Sequence, residues 1–144
     1  MEREVINKRI ELLMKYLDRL QSFQSVSLDE YLNNFDLQLI AERLIQLIVE
    51  VASDINSYLL VQIYQKTPES YFESFIEVGN QGIITQELAA ELAQSAGMRN
   101  RLVHQYQKIN HHLVFAAIPI VLDKFPIFIQ QIVNYLNSWE QQNG

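Results

Sequence analysis

The sequence predicts an all-α fold, an antiparallel up-and-down bundle of four to five principal helices. Three observations carry this. The 144 residues include only four Gly and three Pro, too few for the many tight turns of an all-β domain. Apolar residues recur at intervals of three and four along most of the chain, which is the helical period. Hydrophobic residues make up 49% and charged residues 19%, a balance that suits a packed core rather than a disordered chain. The length fits one domain, residues 1–144.

The elements follow in order. From Glu2 to Gln21 the positions Ile6, Ile10, Leu13, Leu17 and Leu20 form one stripe, the pattern of an amphipathic helix. Ser25-Val26-Ser27 breaks it, and Ser27 with Glu30 reads as a capping box for a short helix through about Asn33. Asp36 is the predicted cap of a long helix from Leu37 to Tyr64, with Ile40, Leu44, Leu47, Val51, Ile55 and Leu59 facing inward. Gln65-Lys66-Thr67-Pro68 ends that helix, and an aromatic-rich helix runs from Ser70 to about Gly79. Gly82 is a stop signal, and Thr85 with Glu87 starts a helix through Ala96. Gly97 punctuates the chain, Arg99 to about Gln107 reads as a separate short helix, and Asn110 caps a last helix from Leu113 to Trp139. Pro119 and Pro126 should kink that helix or interrupt its hydrogen-bond ladder.

Several function classes drop out. There is no Cys, hence no disulfide framework and no thiolate metal site, which fits a reducing cytoplasm. The first residues read as an amphipathic helix rather than a signal peptide. The longest apolar run, Leu113 to Leu122, is ten residues, against about 20 for a membrane span, so it reads as core or as a dimer seam. A net charge of −6 and a pI near 5.0 argue against non-specific nucleic-acid binding by the whole surface. The distribution is uneven. No Asp or Glu lies between Leu92 and Leu122, a stretch with Arg99, Arg101, Lys108, His104, His111 and His112 that carries +3 and leaves −9 elsewhere.

Within that basic island stands R-x4-H-x-Y, formed by Arg99, His104 and Tyr106. RNA cleaves itself when its 2′-hydroxyl attacks the neighbouring phosphorus. The step needs a base, an acid for the leaving 5′-oxygen, and positive charge on the crowded transition state. His104 can take or give a proton near pH 7, and Arg99 offers a permanent charge and a two-pronged fork for phosphate. No metal or other cofactor is needed for this chemistry. On a regular helix, however, five residues separate the two by roughly 140°, so they do not share a face. Either Gly97 lets Arg99 leave the helix and reach inward, or the site is shared. In a two-fold dimer, two Arg99 and two His104 would line one cleft, one imidazole serving as base and the other as acid. Asn100, four residues before His104, shares its face and would orient the imidazole or the phosphate.

The segment Gly97-Met98-Arg99-Asn100, Leu102-Val103-His104, Tyr106 and Lys108-Ile109-Asn110 resembles the active-site region of the HepT group of HEPN ribonuclease toxins. Ala41-Glu42-Arg43-Leu44-Ile45-Gln46 with Glu50, and Pro68-Glu69-Ser70-Tyr71 with Phe75 and Gly82-Ile83-Ile84, are similar too. The likeness spans about Asn7 to Leu136, and Asn110 departs from the more usual Asp, which would also cap a helix. The resemblance implies a homodimeric HEPN domain that cuts RNA, by analogy tRNA, without metal. Arg99 and His104 would be catalytic with Asn100 supporting, and Arg101, Lys108 and His111 would contact RNA. It further implies an MntA-type nucleotidyltransferase antitoxin that transfers AMP from ATP to Tyr106. Seven residues is near two turns, so Tyr106 would share a stripe with Arg99, and the added bulk and negative charge would repel RNA.

Other readings stay open on sequence alone. The chain would also suit a non-catalytic HEPN module that binds a nucleotidyltransferase or nucleotide, or a plain helical dimerisation protein. His104, His111 and His112 suggest zinc only weakly, since no carboxylate lies nearby in sequence. Glu42, Gln46, Glu50 and Asp54 form a polar row at intervals of four. It reads as a solvated face, or as a source of a carboxylate for the imidazole.

Overall fold

The computed structural model describes residues 1–143, apart from the side chain of Tyr106. Six helices form the bundle: α1 (Arg3–Gln21), α2 (Leu28–Leu32), α3 (Phe35–Tyr64), α4 (Tyr71–Asn80), α5 (Gln86–His104) and α6 (His111–Asn143). Short 3-10 turns at Ser22–Ser25 and Tyr106–Lys108 complete the described elements.

The predicted stripe of α1 is the buried one, Ile6, Ile10, Leu13, Leu17 and Leu20. Ser27 accepts from the Glu30 amide at 3.1 Å and starts α2. The cap of α3 is Asn34 rather than Asp36: its side chain accepts from the Leu37 amide at 3.1 Å, and Asp36 sits in the first turn, where its charge suits the helix dipole. Buried positions on α3 exceed the predicted stripe, because α1, α4, α5 and α6 all pack against it. Ala41, Ile45, Ile48, Val49, Ala52 and Leu60 are therefore buried as well, while Ile40 and Leu47 are only half-buried. Gln65 ends α3 in the left-handed conformation at φ 53°, with the Lys66 amide bonding back to the Leu60 carbonyl at 3.0 Å, a Schellman closure formed without glycine.

The larger departure is at α5. Thr85 caps it as expected, but the helix runs unbroken through Gly97 to His104. A glycine costs a helix interior about 1 kcal/mol relative to Ala. Burial of Leu92, Ala93, Ala96 and Leu102 on either side outweighs that, because tertiary packing holds a helix more strongly than propensity does. The predicted helix over Arg99–Gln107 is thus the last turn of α5, a break at Gln105, and a 3-10 turn.

Asn110 caps α6, accepting from the Leu113 amide at 3.2 Å. Both prolines lie inside this helix on its exposed side. Their missing N–H groups leave the Phe115 and Leu122 carbonyls without the usual intrahelical donor. By length and composition α3 and α6 could each cross a membrane. For α3 the apolarity is that of a central core helix. On α6 the outer residues Leu113 and Ile120 remain exposed.

Contacts between distant residues fix the directions. Glu2, just before α1, and Arg9 on α1 meet Tyr58 on α3, and Glu91 on α5 pairs with Lys124 on α6 at 2.9 Å. Glu42 on α3 meets His111 on α6, while Tyr64 meets Tyr135. Hence α3 and α6 run parallel, and α5 runs against both. This register matters below.

Candidate active site

The last turn of α5 aims Arg99 inward. Its Nε and Nη2 donate to Oε2 of Glu50 on α3 at 2.9 and 2.7 Å, and its Nη1 donates to Oδ1 of Asn100 at 3.1 Å. The guanidinium lies 4.4 Å from the ring centroid of Tyr71 on α4, a cation–π contact. Gln46, one turn before Glu50, donates to the same carboxylate oxygen at 3.1 Å. The Arg99 side chain is only 13% exposed.

This changes the expected chemistry of Arg99. The Nε–Nη2 edge, which was to grip a phosphate, is occupied by Glu50. What remains for an anion is the Nη1 side beside Asn100, and Arg99 and Asn100 both line a cleft of about 310 Å³. Ser57, Ser70 and Asp54 also line that cleft. Burial pushes the Asp54 carboxyl up, opposed by Arg9 and reinforced by Glu50. An arginine clamped on one edge and stacked on one face is pre-oriented, so it loses little freedom when a charge arrives.

His104 is the last residue of α5 and is exposed. It makes no hydrogen bond among the described residues and does not line the Arg99 cleft. Within one protomer the two motif residues are therefore not brought together. Since α5 is regular here, the idea that Gly97 releases Arg99 from the helix is not what the fold does. Nor does Asn100 hold the imidazole, because its side-chain oxygen is taken by Arg99. The backbone of Tyr106 belongs to the 3-10 turn, so it does not continue the Arg99 stripe; its side chain lies outside the described residues. Arg101 and Lys108 are exposed and border one hollow of about 170 Å³ beside Asn110 and Leu113.

The polar row on α3 is half-buried at Glu42, Gln46 and Glu50 and exposed only at Asp54. Glu50 holds Arg99 instead of an imidazole, and Glu42 faces His111, with Oε2 3.6 Å from Nδ1. Burial pushes the Glu42 carboxyl up, with His111 pulling the other way. Tyr31 of α2 is fully buried, its hydroxyl has no hydrogen-bond partner, and burial together with Glu42 raises its pKa. The Tyr71 and Glu42 contacts were not read from the sequence. The interval of eight from Glu42 to Glu50 was a usable signal, since it puts both carboxylates near one stripe of α3. Among the described residues no three His, Asp or Glu side chains converge on a metal-sized point, so the three histidines do not form a cluster.

The comparisons agree on kinship. The HepT-like family model, described as "Ribonuclease HepT-like", matches residues 13–132. The chain is 45% identical to the tRNA nuclease HepT of Aphanizomenon flos-aquae, over 96% of this chain and 95% of that protein. It is 27% identical to the mRNA nuclease HepT of Shewanella oneidensis, over 90% and 96%. Its fold matches the solved structure of a tri-AMPylated Shewanella oneidensis HEPN toxin in complex with MNT antitoxin, with a TM-score of 0.83, 27% identity, and 93% and 99% of the two chains covered. An all-helical bundle with an inward arginine, an outward histidine at the end of the same helix, and these relatives lead to one conclusion: the chain belongs to the HepT-like ribonuclease family.

Proposed function

We propose that this chain is the toxin of a toxin–antitoxin pair, a cytoplasmic endoribonuclease that cuts tRNA without a metal ion. Residues 1–144 act as a single HEPN-like domain. The observation that carries the reading is the Arg99 guanidinium, fixed by Glu50 and Tyr71 beside a cleft that it lines together with Asn100, in a chain 45% identical to a tRNA nuclease. His104 takes the proton of the attacking 2′-hydroxyl as the O2′–P bond forms. The Nη1 of Arg99 and the side-chain amide of Asn100 meet the charge that grows on the non-bridging oxygens. The products are a 2′,3′-cyclic phosphate and a 5′-hydroxyl. Arg101 and Lys108 add cationic contacts to the RNA backbone, and His111 meets the RNA at the same end of the bundle.

The active species is a homodimer. His104 faces away from the Arg99 cleft of its own protomer, so a second copy must complete the site. A face for it exists: a groove between α5 and α6 lined by Met98, Leu113, Ala116 and Ile120. Gly97 adds support. A Cβ there would meet only Arg101 Nη1 at 3.8 Å, so nothing inside the protomer requires glycine, whereas close approach of a second helix would.

Incubated with a tRNA pool and a chelator, the protein should cut, and an mRNA-like transcript should be cut much less. His104→Ala should be inert. Cleavage that vanishes with the chelator, or survives in His104→Ala, overturns this assignment.

Inhibition follows from chemistry at Tyr106. An MntA-type nucleotidyltransferase brings ATP, the phenol oxygen attacks the α-phosphorus, and pyrophosphate leaves. Each AMP adds about one negative charge in a segment that must meet RNA. Intact mass after incubation with such a partner and ATP should rise by AMP-sized steps, with cleavage lost in parallel. If Tyr106→Phe gains the same increments, the acceptor lies elsewhere.

A further inference from the structure

Transesterification needs two proton transfers, and the site as described supplies one group for the first. We infer that His111, oriented by Glu42, is the acid that protonates the leaving 5′-oxygen. The inference rests on the ribonuclease reading above and assigns a group that reading leaves unnamed.

The geometry points there from three directions. First, Nδ1 of His111 is buried, has no hydrogen-bond partner, and lies 3.6 Å from Glu42 Oε2, while the side chain is 36% exposed. The nitrogen open to solvent is therefore Nε2. A carboxylate this close to the inner nitrogen favours a proton there by its charge, so the outer nitrogen is the one left to exchange protons with a substrate.

Second, the register brings His111 to the right end of the bundle. Arg99 is level with Glu50, and α5 runs against α3. His104, five residues later, lies about 7.5 Å further down, near the height of Ile45 and within one turn of Glu42. His111 is held at Glu42. The two imidazoles therefore sit at nearly the same height, joined by the six residues Gln105–Asn110.

Third, the surroundings keep the dyad in working order. Around Glu42, the other titratable group is the Tyr31 phenol of α2, kept protonated because burial and Glu42 raise its pKa.

As the O2′–P bond forms and His104 accepts the 2′ proton, the P–O5′ bond breaks and its electron pair goes to O5′. His111 Nε2–H delivers a proton to that oxygen, leaving a neutral imidazole with its Nδ1–H toward Glu42. In this scheme the acid is His111 rather than the second His104 of a dimer.

A substrate with sulfur in place of the bridging 5′-oxygen tests it, because a thiolate leaves without a proton. On ordinary RNA, His111→Ala should cut about 10²–10⁴-fold more slowly, the usual worth of an acid. On the thio substrate it should cut within a few-fold of the unmodified protein, while His104→Ala stays inert on both. Glu42→Gln should show a partial loss on ordinary RNA and rescue on the thio substrate. Burial holds the Glu42 pKa above its unfolded value. Its stabilising contribution is thus present only when protonated and is lost as pH rises through the raised value, so Glu42→Gln should not unfold the protein at neutral pH. Equal loss by His111→Ala on both substrates would make His111 a binding contact only, and no loss on either would remove it from the reaction. Both overturn the inference. If the unmodified protein cuts neither substrate, the ribonuclease reading itself fails.

Discussion

Arg99→Lys should lower RNA cleavage by about 10²-fold or more, although it keeps the charge. The reason is the number of directions in which Arg99 is held. One edge of the guanidinium meets Glu50, the opposite nitrogen meets Asn100, and the face lies on Tyr71. A planar fork can do all three at once. An ammonium is a single point, and its deepest well is beside Glu50, on the side away from the cleft. The lysine variant should therefore remain folded, because the ion pair with Glu50 survives, and should fail in kcat rather than in KM. Arg99→Ala should fail in both respects. It leaves the Glu50 carboxylate partly buried without its cation, a loss of about 1–3 kcal/mol in stability, alongside the loss of cleavage. Thermal melts and kinetics on the same preparations separate the two effects. If the lysine variant cuts within a few-fold of the unmodified protein, a point charge suffices and the clamp is only structural.

The fold was largely legible in the chain because its signals are local. The α1 stripe, the Ser27, Ser70, Thr85 and Asn110 positions and the αα turns all depend on residues within one or two turns of each other, and all appear where expected. The continuous α5 was not legible. Gly97 reads locally as a break, and only burial of residues on both sides, a property of the whole bundle, overrides it. The site was half legible for the same reason. Spacing identifies Arg99 and His104 as a chemical pair and shows that one helix cannot join them. It cannot say which carboxylate belongs to which cation, since Glu42, Glu50 and Asp54 belong to one row at intervals of four along α3. The pairing of Glu50 with Arg99 and of Glu42 with His111 is set by the antiparallel register of α5 and the parallel register of α6, and neither leaves a mark within a single helix.

The strongest consequence of that separation is a gain of activity from two dead proteins. Arg99→Ala and His104→Ala should each be inert alone. Co-expressed and purified through two different tags, so that only mixed dimers are recovered, they should cut RNA. If each site takes its arginine from one protomer and its histidine from the other, a mixed dimer pairs both alanines in one site and both intact residues in the other. Half of the sites in such dimers then work. In an unselected mixture, where half of the dimers are mixed, about a quarter of normal activity should return. Sites built within single protomers would give none, because neither chain carries both residues. Adding Gly97→Leu to both chains should abolish the recovery while leaving the protomer helical. Inside one protomer a Cβ at this position meets only the flexible end of Arg101, whereas at a helix crossing the leucine would hold the two backbones apart. Recovery that persists with Gly97→Leu would move the dimer seam off this face of α5. Silence from the mixed dimer would require His104 to swing into the Arg99 cleft of its own chain, against the regular helix that carries them both.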